Sequence, residues 1–244
     1  MTTMINLLFL SILILAKSSF AYSCPKVTVS EIVNRHIDAT GGRLVLSSLK
    51  SIQRVGKILF FQDPSKPPAE YSYRTDLIYP RELRERLIGS DILVDRGTDG
   101  TQFWEWRDRK YQLVESTALV NQMKETAERA NRDILYLMDE FQSFEVADET
   151  PSWTQNDICI KGAKNGIFSF ICFDQSTGLL SAKGTNEEYR LFSQWTRVAK
   201  ISLPYHISHY KSSSKAYEIF LKDVYVDPEI DPQIFLIPTA NVVR

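Results

Sequence analysis

Along most of the chain apolar residues alternate with polar ones, the period of a strand with one face buried. These runs predict strands over Ile52–Phe61, Glu70–Tyr79, Glu82–Gly89, Ile92–Val94 and Gln102–Arg107. Further strands are predicted near Arg190–Ile201, Tyr205–Tyr210 and Ala216–Val226. Turn-forming clusters separate them at Asp63–Pro68, Gly89-Ser90-Asp91, Gly97-Thr98-Asp99-Gly100 and Ser212-Ser213-Ser214. Turns this short join only antiparallel neighbours, so the chain reads as a predominantly antiparallel β protein. Two stretches depart from that period. Thr28 and Glu31 have capping-box spacing and open a helix that runs to about Ala39, with Ile32, Val33 and Ile37 as its apolar stripe and Gly41-Gly42 as its end. From Ala118 to Phe141 the apolar positions Leu119, Met123, Ala127, Ala130, Ile134, Leu137, Met138 and Phe141 step by three and four. They predict one long amphipathic helix packed on the sheet. Its apolar face is rich in Met and Ala, which pack adaptably or weakly, so it is expected to act as a mobile lid.

Asn165-Gly166 is a strong hairpin signal, because a type I′ turn needs positive φ at both central residues. A two-residue loop there sets Lys164 opposite Ile167 and Cys159 opposite Cys172, the latter at a non-hydrogen-bonded pair where side chains approach most closely. A Cys159–Cys172 disulfide is therefore expected in an oxidising compartment, with two reduced, half-buried thiols as the alternative. Phe168 and Phe170 share the face of the cysteines, and Ile158, Ile160, Ile171 and Phe173 occupy the other.

That compartment is indicated by the first 21 residues. Ile5–Ala16 is a short apolar core, too short to span a bilayer comfortably, followed by Ser19 and Ala21 at the small-residue positions of a secretory cleavage site. Residues 1–21 read as an export signal and 22–244 as a single domain. Cys24 is left unpaired just beyond the cleavage site; Ala21-Tyr22-Ser23-Cys24 loosely resembles a lipobox, so Cys24 is a candidate for N-terminal lipidation and membrane anchoring. The 29 Lys and Arg against 30 Asp and Glu give a net charge of −1. No basic excess exists to drive non-specific nucleic-acid binding.

The sequence holds no nucleophile elbow, metalloprotease helix or phosphate-binding glycine loop, so no catalytic residue, metal site or cofactor is assigned. His206 and His209 are spaced like a metal pair, but three residues apart on a strand places them on opposite faces. His36 lies on the first helix without an adjacent nucleophile, and Asp91, Asp95 and Asp99 are associated with turns. Aromatic alternation stands out instead. Tyr71, Tyr73, Leu77 and Tyr79 share one strand face, with Glu70, Ser72, Arg74 and Asp76 on the other, and Trp104 and Trp106 share a face further on. Such stripes are either plain core or the lining of a cavity for an apolar ligand.

Several blocks, taken in order, resemble the lipoprotein-carrier family, including its outer-membrane lipoprotein-sorting (LolA/LolB-like) branch. Pro80-Arg81-Glu82-Leu83-Arg84, Ile92-Leu93-Val94 and Asp99-Gly100-Thr101-Gln102-Phe103-Trp104-Glu105-Trp106 are similar to its first block. Phe173–Leu180 is similar to its second hairpin, and Leu203-Pro204-Tyr205-His206-Ile207 with Val226-Asp227-Pro228-Glu229-Ile230-Asp231, Phe235 and Pro238 to its closing strands. The opening Ile32, Gly41-Gly42, Leu49 and Ile52 also fit. The resemblance implies a mainly β (α+β) fold: a half-open antiparallel β-barrel with helices covering the concave face. It further implies non-enzymatic binding of lipid or lipoprotein acyl chains in the periplasm. Carriers of that family typically place Arg before the first-block proline to help hold the lid; here that position is Tyr79. Tyr71, Tyr73, Leu77, Tyr79, Trp104 and Trp106 are the expected ligand-lining residues. The alternatives are a sensor or scaffold of the same fold that binds an envelope protein partner, and an enzyme without identifiable catalytic groups.

Overall fold

A computed structural model describes residues 27–63, 65–90, 92–130, 132–136, 141–154 and 157–238. Residues 1–21, expected to be an export signal, and Cys24 lie outside these residues. Two helices open the chain, α1 (Val29–Thr40) and α2 (Arg43–Ser47). Strands β1 (Ser51–Phe60), β2 (Ala69–Ile78), β3 (Glu82–Ile88), β4 (Ile92–Thr98), β5 (Phe103–Arg107) and β6 (Lys110–Leu113) follow as a meander. Helix α3 (Thr117–Arg129) and a 3₁₀ turn (Asp133–Tyr136) then lead to a second meander of β7 (Ser143–Val146), β8 (Asp157–Lys164), β9 (Ile167–Asp174), β10 (Leu180–Gly184), β11 (Glu188–Val198), β12 (Ile201–Lys211) and β13 (Ser214–Val226). A final 3₁₀ turn spans Pro232–Phe235.

All thirteen strands form one antiparallel sheet in the order β6-β5-β4-β3-β2-β1-β13-β12-β11-β10-β9-β8-β7. Its middle is the pairing of the first strand with the last, from Ile52↔Val226 to Phe60↔Tyr217. Its two free edges are β6 and β7, which are consecutive along the chain. The segment between them is fastened at both ends: the Val114 N–H donates to Phe103 O at 2.8 Å and the Gln142 N–H to Ala163 O at 2.9 Å. Residues from β1, β2 and β3 on one side, and from β8, β9, β12 and β13 on the other, pack into the same apolar cluster as α1 and α3. A sheet whose two halves both reach the same helices is curved around them. The sheet is not closed, and the helices cover its concave face.

Local chemistry explains the elements. Thr28 Oγ1 accepts the Glu31 N–H at 3.2 Å and Glu31 Oε2 accepts the Thr28 N–H at 2.7 Å, the reciprocal cap anticipated from spacing. Gly41 ends α1 at φ 130°, where an added Cβ would sit 2.5 Å from Lys200 O. The cysteine hairpin has the expected register, Lys164↔Ile167 and Cys159↔Cys172, and the disulfide is formed. Three features differ from expectation. Strand β4 runs through Thr98, and the turn falls on Asp99, whose Oδ1 accepts the N–H groups of Thr101 and Gln102, each at 2.8 Å. Strands β6, β7 and β10 were not predicted. The helix expected to reach Phe141 stops at Arg129, because Ala130 turns to φ −49°, ψ 128°. Ile134 and Leu135 in the following 3₁₀ turn, and then Phe141, pack on the same cluster, so the apolar spacing continues without the helix. Leu137 and Met138 lie outside the described residues.

Candidate functional site

The concave face carries cross-strand rows whose chemistry is read from the register. Ile52, Leu77, Leu83, Thr98 and Phe103 form one row across β1 to β5. Four of these five are apolar and pack in the helix-covered cluster. The next row, Arg54, Thr75, Glu85, Arg96 and Glu105, is polar, with Arg96 Nη2 and Glu85 Oε2 2.6 Å apart. Beyond it Ile58, Tyr73 and Leu87 begin a second apolar cluster with Phe60, Tyr71, Val94 and Tyr217. The polar row thus divides the concave face, and only the first zone meets the helices.

In that first zone Ile32, Val33 and Ile37 of α1 and Met123 and Ala127 of α3 face Ile52, Leu77, Leu83, Ile160, Ile171, Phe173, Ile201 and Leu203 of the sheet. A gap of about 190 Å³ remains where α1 crosses β8 and β9. Val27, Ile32, Ile158 and Phe173 give it apolar walls, and Glu31, Arg35 and Asp174 line it as well. Hydrogen bonds from the Ser176 and Thr177 hydroxyls and their backbone N–H groups pull the Asp174 carboxyl down to about 2, so it is a fixed negative charge. The Arg35 guanidinium donates to Ser176 O at 3.1 Å and ties α1 to the same turn. Behind Phe173, the His36 ring lies 5.2 Å from the phenyl and 5.9 Å from the Trp195 indole, with Nδ1 3.0 Å from Gly178 O. Burial pushes His36 down to about 4, against a smaller upward effect of the Gly178 hydrogen bond. At neutral pH it is an uncharged part of the seam.

Tyr79 fastens the C-terminal end of α3. Its hydroxyl donates to Ala130 O, immediately beyond α3, and the Arg132 guanidinium lies 4.0 Å from its ring centroid. A tyrosine thus holds the end of the helix where the resembling carriers have arginine, using one hydrogen bond and one cation–π contact.

The six residues expected to line a ligand cavity are not brought together. Leu77 and Tyr79 belong to the helix-covered zone, whereas Tyr71 and Tyr73 lie beyond the polar row. Trp104 and Trp106 are on the opposite, outer face, because Leu77 pairs through Leu83 and Thr98 to Phe103, one residue out of phase. There the Trp104 indole crosses Gly97, donates to Phe235 O at 2.7 Å and is fully buried. The outer face also holds an ionic cluster that sequence reading assigned only to the polar side of a strand. Asp76 is 0% exposed, receives bonds from Arg74, Arg86 and Gln53, and neighbours an Arg84–Asp95–Tyr111 group. His206 and His209 do lie on opposite faces, bonded to Glu218 and Glu188 respectively. No group of three or more metal-ligating side chains occurs among the described residues, and none of their helices is long and apolar enough to cross a membrane.

No family model and no curated protein matches the sequence. Solved structures do match in fold. A LolA superfamily protein from Nitrosomonas europaea superposes with a TM-score of 0.56 at 13% identity, covering 86% of this chain and 98% of the other. A putative outer membrane lipoprotein-sorting protein domain from Vibrio parahaemolyticus gives 0.55 at 8% identity, covering 84% and 94%. A DUF1329 family protein from Desulfovibrio piger gives 0.58 at 6% identity, covering 85% and 97%. The expected LolA-like fold is therefore the observed one.

Proposed function

We propose that this protein is an exported, periplasmic, non-enzymatic carrier that binds a hydrophobic ligand, a lipid or the acyl chains of a lipoprotein, between its helices and the concave face. The observation that carries the reading is the apolar seam under α1 and α3, with the gap walled by Ile32, Ile158 and Phe173. Burying an acyl chain contributes about 0.8 kcal/mol per methylene, so an apolar seam suffices without reactive groups. The gap is smaller than the roughly 300 Å³ at which ligand pockets begin, so α1, which roofs it, has to yield for a whole chain to enter. Of the six residues expected to line the site, Leu77 and Tyr79 are retained; Tyr71, Tyr73, Trp104 and Trp106 lie elsewhere. Among the four tryptophans, Trp195 becomes the reporter, since its ring is next to His36 and one ring removed from the gap.

Native mass spectrometry of protein taken from the periplasm should show a bound lipid. A brominated fatty acid should quench a variant that retains only Trp195, and leave one that retains only Trp104 unaffected. Absence of lipid together with unquenched Trp195 would sink this reading. It would favour the alternative, a scaffold of the same fold whose helices permanently fill the concave face and which engages an envelope protein. The filled part of the seam around Met123 and Ala127 is the observation on that side.

A further inference from the structure

A second recess, of about 410 Å³, opens on the other side of the sheet. Three connections build it: the β7–β8 loop with Glu149, Ser152 and Trp153, the β10–β11 turn with Asn186, and the β12–β13 turn with Ser213; Phe170 and Tyr189 complete it from the strands. These connections are tied down. The Thr154 N–H donates to Pro151 O at 3.0 Å, Thr185 Oγ1 accepts the N–H groups of Glu187 and Glu188 at 3.2 and 3.1 Å, and the Ser212 N–H donates to Glu187 O at 2.6 Å. Trp153 ends a stack of three rings, 4.7 Å and 6° from Tyr189, which lies 5.0 Å and 10° from Tyr210. Phe170 stands edge-on to it at 80°. Trp153 and Phe170 also pack on the small cluster of Cys159, Cys172 and Ala182, so the disulfide lies beneath two of the recess's aromatic walls. The Trp153 indole N–H is buried and has no acceptor among the described residues.

The lining selects among ligand classes. Among the described residues it contains one carboxylate and no basic side chain, which opposes phosphates and other anions. An acyl chain would desolvate Glu149, Ser152, Asn186 and Ser213 without giving them partners. A saccharide suits both halves: its C–H face lies on aromatic rings while its hydroxyls meet a carboxylate, an amide and the hydroxyl groups of Thr150, Ser152 and Ser213. We propose that this recess is a binding site for a short neutral oligosaccharide, independent of the lipid seam on the concave face. The disulfide-pinned β8–β9 hairpin would then position a site as well as stabilise a fold.

The test uses the full exported chain, with chitotetraose and maltotetraose as probes in saturation-transfer NMR and tryptophan-emission titrations. At least one of the two sugars should receive saturation at millimolar concentration. Trp153→Ala should weaken its binding about tenfold or more, equivalent to the loss of about 1.4 kcal/mol. Trp153→Phe, which keeps a ring, should retain most of it, and recovery of the intact Cys159–Cys172 bridge in both variants would confirm that they fold. Absence of transfer to either sugar, or binding indifferent to Trp153→Ala, would overturn the proposal. So would Trp153-dependent binding of tetramethylammonium in place of sugar, which would reassign the recess to a cationic amine. Quenching of Trp195 by brominated fatty acid reads the other site, so either proposal can fail alone.

Discussion

Acidification should loosen α1 from the sheet through a single buried group. His36 is 5% exposed, wedged among Phe173, Trp195 and the Gly178 carbonyl, and burial holds it at about 4 against an ordinary 6.5. The folded protein therefore keeps His36 neutral, whereas the unfolded chain takes up a proton once the pH falls below about 6.5. The associated stability is fully present above 6.5 and is lost progressively down to about 4, below which both states are protonated. A displacement of that size corresponds to about 3 kcal/mol. Asp174, a carboxylate on the rim of the same gap, is ionised throughout this window because its own value lies near 2. Urea unfolding of the wild type and of His36→Gln at pH 7.5, 5.5 and 4.5 isolates the effect, since other titrating groups cancel in the difference. The variant should start less stable and close on or overtake the wild type by pH 4.5. Parallel pH profiles, or an NMR midpoint for His36 near 6.5, would refute the reasoning.

Three further outcomes are expected. Tyr79→Phe removes the hydroxyl that holds Ala130 but keeps the ring under Arg132; about 1 kcal/mol should be lost, and hydrogen exchange in Thr117–Arg129 should quicken about fivefold. Replacing Cys159 and Cys172 together by alanine opens a loop of sequence separation 13 and should cost about 3 kcal/mol by urea titration, while peptide mapping of the wild type recovers 159 linked to 172. Asp76→Ala strands Arg74 and Arg86 beside an empty buried position and should cost about 3–5 kcal/mol by denaturant melts; a loss under 1 kcal/mol would show that water replaces the carboxylate.

What could be read from sequence was whatever depended on neighbours along the chain. The Thr28 box, the Asn165-Gly166 register and the facing of Cys159 on Cys172 are local geometry, and each is found. Strands β6 and β7 do alternate, but over four residues each and without the flanking turn signals that bracket Ile92–Val94, and β10 carries no clear alternation over its five, so all three were missed. The end of α3 was missed because no breaker residue marks it: Ala130 favours helix, and its carbonyl is claimed by Tyr79 from far away in sequence. The ligand-lining set failed to assemble for a related reason. Each stripe was correct on its own strand, but the phase between Leu77 and Trp104 depends on three strand pairings and their turns. The burial of Asp76 was equally invisible, since alternation alone assigns a carboxylate to solvent, whereas its arginine neighbours come from Arg74 on its own strand and Arg86 on the next.

The fastening of the inter-meander segment at Phe103 and Ala163 has a mechanical consequence. Helix α3 does not simply rest on the sheet; it belongs to the segment that joins β6 to β7, the two edges of the sheet among the described residues, and the ends of that segment are bonded to the strands beside those edges. The contour length of that segment limits how far the two edges can separate, so flattening the sheet would draw the segment out through its bonded ends. A ligand that displaces Met123 and Ala127 would be felt at both edges of the sheet, through the Phe103 and Ala163 bonds, without any contact of its own there.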